Sequence, residues 1–65
     1  MKKNELIKEY KNYCIDLKIK EKSKKNISAF IYDYIIFLYN NSKITIQGIE
    51  QEQEKAKKIL YDFIK

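Results

Sequence analysis

The chain contains no proline, histidine, tryptophan or arginine, and a single glycine, a single cysteine and a single methionine. Each scarcity excludes something. With no proline and only Gly48, a sandwich of strands joined by many tight turns is disfavoured, and helices joined by short links are expected. One cysteine cannot form an internal disulfide, and no histidine–cysteine cluster exists to hold zinc. A chain of 65 residues therefore depends on packed apolar side chains, or on self-association, for its stability. The missing histidine removes the commonest general acid–base group, and no activated cysteine or glycine-rich phosphate loop is present. An enzyme is not expected, nor is a cofactor.

Targeting signals are equally scarce. The opening "MKKNELIKEY" is basic but has no apolar region behind it, so a secretory signal is not expected. The Asn-x-Ser triplets at Asn26 and Asn40 then carry no glycosylation reading. Cys14 suits a reducing cytoplasm. The apolar run "AFIYDYIIFLY", Ala29 to Tyr39, is shorter than the roughly 20 residues a bilayer requires, and Asp33 interrupts it.

What the chain has in quantity is lysine, and it is unevenly placed. Nine lysines against four acids in the first 25 residues account for the whole net charge of +5. The densest stretch is "KIKEKSKK", Lys18 to Lys25. Such a patch attracts polyanions, whether DNA, RNA or an anionic membrane surface. Lysine-rich links also serve solubility, and abundant lysine, asparagine, isoleucine and tyrosine also follows from an AT-rich genome.

Apolar spacing predicts three helices, at about 4–18, 24–40 and 49–64, forming a small all-α bundle. The first helix turns Leu6, Ile7, Tyr10, Tyr13, Cys14 and Leu17 to one side. Ser23 is positioned to cap the second by accepting from the backbone N–H of Lys25 or Asn26. The second helix has a main face of Ile27, Phe30, Ile31, Tyr34, Phe37 and Leu38. A further stripe, Tyr32, Ile36 and Tyr39, lies nearly opposite, as on a central helix. "NNSKITIQG" reads as a connection with an extended or single-turn piece at Ile44 to Ile46. The third helix presents Ile49, Ala56, Ile59, Leu60 and Phe63, with Ile64 at the edge. Its acids lead and its lysines follow, which complements the helix dipole, and Glu54 is spaced to meet Lys58. Glu50 and Glu52 point about 200° apart and do not converge on a metal.

"KSKKNISAFIYDYIIFLYN" resembles the second-helix segment of the SAM-like core-binding domain in tyrosine recombinases and phage integrases. That family commonly shows a serine, three residues on a threonine, then an aliphatic residue, a tyrosine, an Asp-Leu pair and Phe-Leu, and Ser23, Ile27, Ala29, Asp33, Phe37 and Leu38 stand in the corresponding places. Asn26 replaces a threonine, Phe30 a tyrosine and Tyr34 a leucine. The flanking helices agree loosely, but the family's final helix has no counterpart here. The recombinase catalytic domain, with its arginines and tyrosine nucleophile, is also absent, so DNA cleavage is not expected of this chain. The resemblance implies either a piece of a larger recombinase, with its catalytic domain as partner, or a small stand-alone protein sharing the pattern.

The resemblance further implies that the link before the second helix, and that helix's first turn, approach duplex DNA. Those positions are Lys18, Lys20, Lys22, Ser23, Lys24, Lys25, Asn26 and Ser28. Lysines supply charge, while Ser23, Asn26 and the free N–H groups of a helix start suit phosphate oxygens. Lysine lacks arginine's fork, so contacts to the DNA backbone with weak sequence readout are expected. The alternative is a protein-interaction module or self-associating regulator of phage or plasmid origin, using Tyr32, Ile36 and Tyr39. Attachment to an anionic membrane through the first helix is a third option, disfavoured by that helix's narrow, tyrosine-rich apolar face.

Overall fold

The periodicities wind into the helices they predict. The computed structural model describes residues 3–65, with α1 at Lys3–Leu17, α2 at Lys24–Asn40 and α3 at Ile49–Ile64. Among the described residues there is no strand. The second connection ends in a 3₁₀ turn at Ile46–Gly48 that leads directly into α3, two residues later than the piece expected at Ile44 to Ile46, with Thr45 extended before it. The chain runs up, down and up, in a body of 30 × 22 × 20 Å.

Short connections force neighbouring helices to pack against each other, and α2 is the element both others cover. Its Ile27, Phe30, Ile31, Tyr34, Ile35 and Leu38 join Leu6, Tyr10 and Cys14 of α1 and Ala56 and Leu60 of α3 in one core. Phe30 sits among three tyrosines. Tyr10 and Tyr13 meet it edge-on, with centroids 5.4 and 5.3 Å away, and Tyr34 stacks on it at 6.1 Å. Such pairs add about 0.5–1.5 kcal/mol each beyond the area they bury.

Three details depart from the sequence reading. Ile35, not Phe37, completes the inner face of α2, and Phe37 is 53% exposed. Leu17 is 55% exposed, because α1 ends there and the chain turns away. Ile19, beyond the turn, packs against the core instead. Glu54 pairs with Lys57 at 3.9 Å rather than with Lys58, a solvent-exposed contact worth at most a few tenths of a kcal/mol.

No helix among the described residues is long and apolar enough to cross a membrane.

Candidate nucleic-acid interface

The link between α1 and α2 carries the lysines, and its backbone is tied inward from both helices. From α1, the Tyr10 hydroxyl donates to the Glu21 carbonyl, and the Cys14 thiol lies 3.9 Å from the Lys20 carbonyl. From α2, the Asn26 side-chain amide donates to the same Lys20 carbonyl at 2.8 Å. Within the link, the Ser23 N–H donates to the Glu21 carbonyl at 2.9 Å. With carbonyls turned inward, the lysine side chains turn outward: Lys18, Lys20, Lys22, Lys24 and Lys25 are all exposed.

Tyr10 is fully buried apart from this contact. Burial pushes its phenol well above the ordinary tyrosine value, and the nearby Cys14 and Glu21 add to the shift. It is therefore a neutral donor held at the junction of α1 and the link.

Ser23 is the N-cap of α2, with extended backbone, and its hydroxyl accepts from the Asn26 N–H at 3.3 Å. The cap leaves the N–H groups of Lys24 and Lys25 at the open helix start. Asn26 is half-buried and its amide nitrogen is committed to the link, so its role is to hold the link in shape. Ser28 is exposed one turn further along.

The fold extends this basic end in a way that the linear sequence hides. Lys24 places its Nζ 5.6 Å from the Tyr61 ring centroid, and Lys11 of α1 lies 5.3 Å from that of Phe63. Lys24, Lys58 and Lys65 border one shallow recess with Tyr61 and Asp62. The end of α3 therefore lies beside the start of α2, and its lysines join those of the link. The signal for this was the up-down-up order, which brings those two ends together.

The stripe on the far side of α2 is open to solvent. Tyr32, Ile36 and Tyr39 are 65%, 41% and 48% exposed. Their side chains supply no charge, and among the described residues no group of three acids, histidines or cysteines is close enough to hold a metal ion.

No family model, curated protein or solved structure matches the chain.

Proposed function

We propose that the chain binds duplex DNA through its phosphate backbone, using the link 18–23 and the first turn of α2. The observation that carries this reading is the combination of five exposed lysines, at positions 18, 20, 22, 24 and 25, with a backbone pinned by Tyr10 and Asn26. A lysine array on a loose loop must be ordered at a cost when it meets a polyanion. An array on a fixed link loses less freedom. The narrower reading, a core-binding module of the integrase type working with a catalytic domain, is supported by the pattern from Ser23 to Leu38.

Fluorescence anisotropy of a labelled duplex, titrated at several salt concentrations, tests it. Three to five phosphate contacts give a log–log salt slope of about −3 to −4.5. Replacing Lys22, Lys24 and Lys25 together by glutamine is expected to make the slope shallower by about 3. Binding that ignores the triple substitution, or that never appears at low salt, rejects the reading.

The exposure of Tyr32, Ile36 and Tyr39 favours a second reading, a protein-interaction or self-associating module, because an apolar stripe this open marks a partner site.

A further inference from the structure

Four of the chain's nine acids surround one groove. It consists of two adjoining recesses of about 320 and 430 Å³ that share Tyr34, Phe37 and Lys43. Tyr13, Phe30, Tyr34 and Phe37 give it an aromatic floor, and Glu5, Glu9, Asp33 and Glu52 stand around it. Among the described residues Lys43 is its one cation. Glu52 accepts from the Tyr34 hydroxyl at 3.3 Å, which leaves Glu5, Glu9 and Asp33 exposed and without a cationic partner among the described residues. In a molecule of net charge +5, this is an acidic island.

The groove runs along α1 from Glu5 to Tyr13 and along α2 from Phe30 to Leu38, and takes in Glu52 near the start of α3. The lysine-bearing link joins the other ends of α1 and α2. Beside that link, Ile15 and Leu17 are exposed. The link end of the molecule therefore offers aliphatic side chains flanked by lysines, and the groove offers an aromatic floor flanked by carboxylates.

From this complementarity we infer that copies of the chain associate head to tail, the α1–α2 link of one seating on the acid-rimmed groove of the next. The contact is heterologous, so it builds rings or open chains instead of an isologous two-fold dimer. It uses the same lysines as the proposed DNA contact, so one link serves one partner at a time, and it is tested in the absence of DNA. An interface formed by one link and one groove is small and therefore weak. The net charge opposes association at long range. Pairing is therefore best read near 0.1 M salt, where the Debye length of about 10 Å screens repulsion across the whole molecule but spares charges in contact. At about 1 M, with a Debye length of about 3 Å, the pairing is lost.

Sedimentation equilibrium at high protein concentration tests this with two variants. One carries Glu5→Gln, Glu9→Gln and Asp33→Asn in the groove, and the other carries Lys20→Gln and Lys22→Gln in the link. All five positions are exposed or on the link, and circular dichroism checks that both variants fold. Near 0.1 M salt the wild type is expected to exceed twice its monomer mass of 7.9 kDa, while each variant alone stays monomeric. A mixture of the two restores one intact groove and one intact link, and it is expected to form a heterodimer and nothing larger. A monomeric wild type, a groove variant that still associates, or a mixture that stays monomeric overturns the inference. DNA binding by the groove variant is a separate readout, so failure of this inference leaves the DNA reading to its own test.

Discussion

Two residues hold the left-handed conformation that glycine usually supplies. Lys18 has φ 55° and Ser42 has φ 57°, whereas Gly48 has an ordinary negative φ. Each follows a helix and closes it with a pair of bonds. Ile19 donates to the Cys14 carbonyl at 3.0 Å and Lys18 to Ile15 at 3.2 Å; Lys43 donates to Leu38 at 2.9 Å and Ser42 to Tyr39 at 3.1 Å. This is the Schellman arrangement, made here without glycine. It explains why Ile19 takes the place by the core that periodicity assigned to Leu17: the residue after the left-handed one folds back over the last turn. A sequence scan for helix ends looks for glycine and finds none at either site. Holding a side chain in this conformation costs about 1–2 kcal/mol, while glycine adds about 0.4–1 kcal/mol of freedom to the unfolded chain. Lys18→Gly and Ser42→Gly are each expected to stabilise the fold by about 0.5–1 kcal/mol, read as higher urea midpoints. Lys20→Gly, at a position without positive φ, is expected to lower the midpoint.

At the scale of the element, helix extents were legible because spacing and the Ser23 cap carry them. The inner face of α2 was legible only in part. Its apolar residues occupy a wide arc, and periodicity does not say which edge a neighbour will cover. Phe37 borders the open groove with Glu5 and Glu9, whereas Ile35 on the other edge is buried. The tethering of the link was not legible at all, since it needs Tyr10 and Asn26, which lie on different helices, to reach adjacent carbonyls. Tyr10→Phe keeps the ring and removes only the donor to Glu21. It is expected to cost about 1 kcal/mol of stability, measured by urea unfolding. On the proposed DNA-binding reading, a looser link must also be ordered on binding, at about 0.5–1 kcal/mol, so DNA affinity is expected to fall about threefold with every lysine in place. Lost stability with unchanged affinity would mean that link rigidity plays no part in binding.

Over the whole molecule, the sequence located the net charge in the first 25 residues but not its arrangement in space. Up-down-up packing is what adds Lys58 and Lys65 to the basic end and gathers Glu5, Glu9, Asp33 and Glu52 around a groove. The same packing buries tyrosine hydroxyls and so makes folding sensitive to alkali. Burial, reinforced by the Glu52 carboxylate, pushes the Tyr34 phenol from 10.0 up to about 12. Burial also raises Tyr13, with the Asp33 charge adding to it, and Tyr10 shifts in the same direction. Between the unfolded and folded values the native chain holds protons that the unfolded chain has lost, so stability falls as pH rises. The Tyr34 contribution is complete below pH 10 and is lost as pH climbs through about 12. A shift of this size corresponds to about 3 kcal/mol. Urea unfolding of the wild type is thus expected to show a steep fall in stability from about pH 10 to about pH 12. Tyr34→Phe lowers stability at neutral pH by removing the bond to Glu52, but it is expected to flatten the alkaline fall by about 3 kcal/mol. Equal slopes in the two proteins would show that Tyr34 ionises as freely in the fold as outside it.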